Sequence, residues 1–193
     1  MGLNKEELAT AGKVLVLRTC NLDMTSYGGF TYPTSGLVSA PDWSPQPTCG
    51  GGLHGLLWGC GNGSLLRSEQ NAVWMVLEVD ASTLVDLDGK VKFPFGDVVY
   101  CGDVHAATSY IAERAPATGL PIVGYTATAG DAGTATAGYA GTATAGYAGI
   151  LVFRYWDQDC DRWRLTVGYI GEGGLESGVS YRLNAAHEIV ATN

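Results

Sequence analysis

Residues 130–149 read GDAGTATAGYAGTATAGYAG, and the reading of this stretch decides the fold. Aligned on glycine it is an octad: Gly130-Asp-Ala-Gly-Thr-Ala-Thr-Ala, then Gly138-Tyr-Ala-Gly-Thr-Ala-Thr-Ala, then Gly146-Tyr-Ala-Gly, with a shortened copy, Gly124-Tyr-Thr-Ala-Thr-Ala, ahead of it. Thr-Ala-Thr-Ala alternates with period two, so in a strand both threonines face one side and both alanines the other. Gly-Tyr-Ala-Gly supplies the corner. A helix is disfavoured because two glycines and two β-branched threonines in every eight residues cost it more than alanine returns. A disordered Gly/Ala linker is the other alternative. The favoured reading is a short β-solenoid or β-roll, with copies stacked about 4.8 Å apart, alanines inside, and threonines and tyrosines in columns up the side.

An alanine interior removes roughly a third of the apolar area that Leu or Val would, so the repeat must lean on its neighbours. Residues 150–171, ILVFRYWDQDCDRWRLTVGYIG, read as two apolar strands around a polar turn, a hairpin that caps the solenoid. GVSYRL and HEIVA follow as closing strands. Upstream, KVLVLR (13–18) is the first core strand, after a short helical or loose arm at 4–11. Residues 21–63 are dense in Gly, Pro, Ser and Asn and read as loops and short strands. AVWMVLEVD (72–80) is apolar enough to be central. Asp88-Gly89 marks a hairpin between TLVDL and KVKF, DVVYCG is a further strand, and residues 104–115 are the best helix, ended by Pro116. The chain is thus expected to be mainly β, with a mixed α+β head over residues 1–119 carrying one helix, and a solenoid with capping strands over 120–193.

Composition narrows the functional classes. The 193 residues include 28 glycines, about twice the usual share, which fits a turn-rich β protein. Nineteen acidic against eleven basic residues give a net charge of −8, which argues against a nucleic-acid partner. There is no apolar run long enough to span a membrane, and MGLNKEELATAGKVLVLRTC lacks the order of a signal peptide, so the expectation is a cytoplasmic protein with no membrane partner. Five cysteines without secretory context read as free thiols.

Four segments carry a resemblance: YGGFTYPTSG (27–36), CGGGLHG (49–55), the repeat, and TVGYIGEGGLESGVSYRL (166–183). Together they resemble a family of uncharacterised phage and bacterial proteins with a Gly-Phe and Cys-x-x-Gly-Leu-His head and a Gly/Ala/Thr octapeptide-repeat tail. The resemblance covers most of the chain and implies no activity.

His54 lies between Cys49 and Cys60, with Cys20 or Cys101 to complete a set, but the close Cys-x-x-Cys spacing of zinc sites is absent, and neither a metal nor a cofactor is expected. The glycines around His54 lack the Gly-Lys-Ser/Thr of a phosphate loop and the strand and helix of a dinucleotide fold. No Gly-x-Ser-x-Gly accompanies the scattered His54, His105 and His187. The order Arg18, then Gly-Phe, then His54, then Glu78 loosely resembles the head of ADP-ribosyltransferase-like folds. That likeness implies Arg18 on phosphate, His54 on ribose and Glu78 at the transition state, in a pocket with Tyr27 and Phe30. Regular threonine hydroxyls also resemble ice-binding surfaces, but two or three rungs are few and the tyrosines interrupt a flat face.

The leading expectation is therefore a non-catalytic self-assembling or interaction protein, a homo-oligomer whose unpaired solenoid edges associate. Tyr125, Tyr139 and Tyr147, with Thr134, Thr136, Thr142 and Thr144, are its expected contact residues. The alternative is a nucleotide-handling head, either an ADP-ribosyltransferase-like enzyme or a binder that sequesters a small nucleotide.

Overall fold

The computed structural model describes residues 12–67, 72–116 and 120–192; the arm expected at 4–11 lies outside them. The chain divides into two compact units, residues up to 118 and from 119 onward, and its fold is mainly β.

In the first unit, β1 (Lys13–Cys20), β2 (Gly36–Ser39), β3 (Leu53–Leu57), β4 (Val73–Asp80), β5 (Val85–Asp86), β6 (Val91–Phe93) and β7 (Phe95–Gly102) form one sheet in the order β2-β7-β4-β1-β3-β6-β5. All its pairings are antiparallel. The apolar run VWMVLEVD takes a central place, as a strand with both faces covered must. One face carries the core of Val14, Val16, Met75, Leu77, Val79, Val91, Phe93 and Val98. Helix α1 (Val104–Ala112) packs on β4, β7 and β1. Its buried Ala107 and Ile111 are not part of that core, so α1 covers the opposite face, that of Leu15, Leu17, Trp74 and Val76. The helix starts where Asp103 accepts a hydrogen bond from the Ala106 amide at 2.9 Å and stops three residues short of the expected end. The Asp88-Gly89 turn joins β5 to β6 with φ of 53° and 98°, the left-handed pair that a two-residue hairpin requires.

In the second unit, β8 (Thr126–Ala129), β9 (Thr134–Ala137) and β10 (Thr142–Ala145) are the three Thr-Ala-Thr-Ala segments, and β11 (Ile150–Asp157) continues the series. They do not stack copy on copy. β8 pairs in parallel with β10, and β9 with β11, so each residue meets the one sixteen positions on: Thr126 with Thr142, and Thr134 with Ile150. One coil is therefore two octads, and successive copies alternate between two sheets. Alanine explains why the sheets close so tightly. Ala127, Ala135, Ala137, Ala143 and Ala145 fill the interior, and Leu151 and Phe153 stand over Ala135 and Ala137 to widen it toward the C-terminal side.

Antiparallel strands finish both sheets. β12 (Arg162–Tyr169) pairs with β11, β13 (Ser180–Leu183) with β10, and β14 (Ile189–Ala191) with β13. The capping hairpin read from the sequence is β11–β12, with β11 itself part of the coil. The corners differ from expectation. The left-handed residue in each is alanine, Ala132, Ala140 and Ala148, at φ of 52° to 54°. The glycines serve close approach instead: a Cβ on Gly141 would come within 2.8 Å of the Tyr125 carbonyl, and one on Gly149 within 2.6 Å of the Ala145 Cβ.

Candidate functional site

Period-two alternation puts every threonine of the repeat on an outer face. On the sheet of β8, β10 and β13, Thr126 and Thr128 lie beside Thr142 and Thr144, and Ser180 continues the row opposite Thr144. The Thr142 hydroxyl donates to that of Thr126 at 2.9 Å, and the Thr144 and Ser180 hydroxyl oxygens are 2.6 Å apart. The result is a grid of uncharged hydroxyls about 4.8 Å apart across the strands and about 6.7 Å apart along them. Each hydroxyl bonded to its neighbour keeps an acceptor lone pair for solvent.

The other sheet has a different outer face. Thr134 and Thr136 are exposed there, but the next strand sets Ile150 and Val152 beside them, followed across β12 by Tyr169 and Val167. Leu165 lies opposite Arg154, whose guanidinium stacks 4.2 Å above the Trp163 ring. The hydroxyl rows are thus interrupted on this side by aliphatic and aromatic groups.

The tyrosines occupy neither face. Tyr139 and Tyr147 sit in the corner turns beside left-handed Ala140 and Ala148, and because adjacent copies belong to opposite sheets they lie at different corners. Tyr125 immediately precedes β8, and its carbonyl accepts from the Thr142 amide at 3.2 Å. Sixteen-residue stacking sets Asp131, not another tyrosine, beside Tyr147, and its Oδ1 accepts from the Tyr147 amide at 2.8 Å. The seven contact residues expected from the sequence are therefore split among two faces and separate corners, and no tyrosine column forms among the described residues.

In the first unit the residues expected to line a pocket are also separated. Val16 pairs with Leu57 and Leu17 with Leu56, so strand parity puts Arg18 on the face of Val16 and His54 on the face of Leu17. Glu78, opposite Leu15, shares the His54 face. Arg18 stacks 3.9 Å over the Tyr32 ring, donates to the Tyr32 hydroxyl, and reaches the His54 carbonyl, not its imidazole, at 3.1 Å. Burial pushes the Tyr32 phenol up to about 12. Phe30 meets Tyr32 edge-on at 4.9 Å, while Tyr27 is fully exposed. His54 pairs with Lys92 across β3 and β6, and its imidazole is held down to about 4 by burial first and then by Lys90, Arg18 and Lys92.

Sequence reading passed over Lys92, which looks like a solvent residue in KVKF. It is fully buried, donates to the Thr48 and Gly50 carbonyls at 2.9 and 3.1 Å, and faces the Trp43 ring at 5.8 Å. This ammonium holds the glycine-rich loop before β3 in place. Among the described residues no three of His, Cys, Asp and Glu converge, and no helix is long and apolar enough to cross a membrane.

Comparison with known proteins finds relatives of one kind. The chain is 40% identical over 101 residues to the ice nucleation protein InaU of Pantoea ananas, covering 51% of this chain and 10% of that one. It is 39% identical over 107 residues to an ice nucleation protein of Pseudomonas syringae, covering 54% and 9%, and 41% identical over 104 residues to one of Pseudomonas fluorescens, covering 53% and 9%. The chain thus spans about a tenth of the length of these relatives. No family model matches it, so the resemblance to uncharacterised phage and bacterial proteins gains no support, and no solved structure matches it.

These relatives overturn the functional expectation in both its forms. Neither a self-assembling interaction protein nor a nucleotide-handling, ADP-ribosyltransferase-like head agrees with relatives named for ice nucleation. The structure supplies a physical reason against the second form. Arg18 stands across the sheet from His54 and Glu78, which separates the residues of the nucleotide-handling reading; in the coil, β12 and β13 pair the strands at the C-terminal side, while β8 and β9 are edge strands at the other.

Proposed function

We propose that this protein acts on water, and that the outer face of β8, β10 and β13 is a small template on which water is ordered toward ice. The observation that carries this reading is the register: Thr126 and Thr128 stand level with Thr142 and Thr144 in a parallel ladder, a two-dimensional repeat rather than a scatter of hydroxyls. One further feature favours it: the tyrosines lie at corners, which removes the objection that they break a flat face. The five hydroxyl residues of the grid are uncharged, and Arg182, exposed two residues beyond Ser180 on β13, marks the charged border of the same face. The tight alanine interior fixes the hydroxyl positions, because a close-packed core is barely compressible. The names of the relatives point to the same chemistry.

A template works by offering ordered water an interface that costs less to form than one with liquid, and the benefit grows with area. This grid is two threonine rungs and one serine deep, so it acts at deeper supercooling than an extended array of the same design. Droplet freezing of the full chain against buffer tests the reading, with Thr128→Lys and Thr144→Lys combined as the disrupted face and Thr134→Lys as the control on the other sheet. The chain and the control freeze warmer than buffer, and the double variant freezes with buffer. Freezing of the unaltered chain at the buffer temperature, or equal freezing by the double variant, counts against it.

A further inference from the structure

Two lysines close on one exposed thiol in the first unit. Lys92, fully buried on β6, donates to the Thr48 and Gly50 carbonyls, the two that flank Cys49. Lys90, just before β6, donates from its ammonium to the Cys49 sulfur at 3.0 Å, across forty-one residues of sequence. We propose that Cys49 and Lys90 form a peroxide-responsive modification site, in which the oxidised thiol is captured by the lysine amine as a sulfur–nitrogen bond.

Both partners are held from their backbones. The Lys90 carbonyl accepts from the Leu87 amide at 2.9 Å, which closes the Asp88-Gly89 turn, and the Gly89 carbonyl accepts from the Asn62 amide at 2.9 Å. On the loop side a fully buried ammonium grips the residues on either side of the thiol, so the sulfur has little freedom to leave. The separation of sulfur and nitrogen falls in the range of about 3–3.5 Å at which held groups react. Among the five cysteines this one has the setting of a redox-sensitive thiol, exposed and electropositive. The Lys90 hydrogen bond, more than the slight burial that opposes it, holds the Cys49 thiol below its ordinary value, and the charges of Lys90 and Lys92 add to the effect. Burial pushes the Cys20 and Cys101 thiols the other way, and Cys60 is half-buried with its thiol on the Trp58 carbonyl at 3.4 Å. Cys160 is exposed as Cys49 is, but the group donating to its sulfur at 3.2 Å is the Arg164 guanidinium, which stays protonated and has no electron pair to offer.

The chemistry needs hydrogen peroxide and no other reactant. The Cys49 thiolate attacks one peroxide oxygen, the O–O bond breaks, and uptake of a proton leaves a sulfenic acid and water. Lys90, having released its ammonium proton to solvent, then attacks the sulfur. The S–O bond breaks, the hydroxyl departs as water with a proton from the nitrogen, and an S–N bond remains. Sulfur is oxidised by two electrons while the peroxide is reduced to two waters. A thiol reverses the link by attacking the sulfur, which forms a mixed disulfide and frees the amine. While it lasts, the link ties the loop before β3 to the start of β6 covalently, where Lys92 ties it by hydrogen bonds.

The test is treatment of the reduced full chain with equimolar hydrogen peroxide, followed by alkylation in denaturant and peptide mapping by mass spectrometry. The expected product has lost two hydrogens, joins the Cys49 peptide to the Lys90 peptide, and returns to the starting mass with dithiothreitol. Lys90→Arg keeps the charge but removes the nucleophile, so Cys49 is still oxidised and is trapped by dimedone as sulfenic acid, with no cross-link. Lys90→Met slows the oxidation of Cys49 severalfold, because less of the thiol is ionised. Cys160→Ser leaves the yield of the link unchanged. A disulfide between Cys49 and Cys60, sulfenic acid at Cys49 with Lys90 unmodified in the unaltered chain, faster oxidation of Cys160 than of Cys49, or an equal rate at Cys49 in Lys90→Met would each overturn the proposal.

Discussion

Thr142 lies directly beside Thr126, sixteen residues earlier, and its hydroxyl donates to the Thr126 hydroxyl at 2.9 Å. That contact sets the coil at two octads and gathers alternate copies into one hydroxyl face. Behind that face the alanines of both sheets are buried in one interior.

Ala143 is completely buried in that interior. Ala143→Leu is expected to destabilise the second unit by ~2 kcal/mol or more, as over-packing of a close-packed core does. Thr128→Val, on the exposed face, should change stability by no more than about 0.5 kcal/mol. Denaturant unfolding of the two variants measures the contrast.

Asp131 occupies the corner position that tyrosine fills in the next two copies, and its carboxylate accepts from the Tyr147 amide. Asp131→Ala should therefore cost about 1 kcal/mol, the typical value of one hydrogen bond. Asp131→Asn, which keeps the acceptor, should restore most of it. Hydrogen exchange at the Tyr147 amide reads the bond directly, and unchanged protection in the alanine variant would contradict this role.

Buried Lys92 donates hydrogen bonds to two loop carbonyls, those of Thr48 and Gly50. Lys92→Met preserves the apolar stem but leaves both carbonyls unpaired, at an expected cost of roughly 2 kcal/mol or more. The loop at 41–52 should become the first point of proteolytic cleavage. Equal stability and equal cleavage in the variant would show that the ammonium is not the clamp.

His54 gives a pH signature. Burial first, and then the positive charges of Lys90, Arg18 and Lys92, hold its imidazole down to about 4, against 6.5 for the free side chain. Above pH 6.5 both folded and unfolded chains carry it neutral, and the stability associated with neutral His54 is fully present. As pH falls toward 4 the unfolded chain takes up a proton that the folded chain refuses, so that stability is lost, more shallowly than for a fully buried group because His54 is partly exposed. His54→Gln should flatten the decline between pH 6.5 and 4, and an unchanged slope would reject the assignment.

The strands were legible because period-two runs such as KVLVLR and VWMVLEVD leave little choice of structure, and Asp88-Gly89 announced its turn. The hydroxyl face was only half legible. Thr-Ala alternation fixes which side chains point outward, but an eight-residue period is equally compatible with a coil of eight or of sixteen, and only the pairing of Thr126 with Thr142 decides. The tyrosines misled for that reason: a column needs copies in one sheet, and adjacent copies lie in two. In the first unit, which face of the sheet a residue takes depends on register, so the sequence order Arg18, His54, Glu78 carried no information that Arg18 stands across the sheet from the other two. Lys92 was missed because its partners are backbone carbonyls forty-two and forty-four residues away.

The most direct test of the account is whether growing ice takes up the protein through the β8, β10 and β13 face. Full-length labelled chain is held in a slowly freezing solution and its partition between ice and liquid is measured for the unaltered chain, for Thr128→Lys with Thr144→Lys, and for Tyr147→Ser at a corner. The unaltered chain and the corner variant are expected to enter the ice while the double lysine variant stays in the liquid. Exclusion of the unaltered chain from the ice, or entry of all three alike, would contradict it.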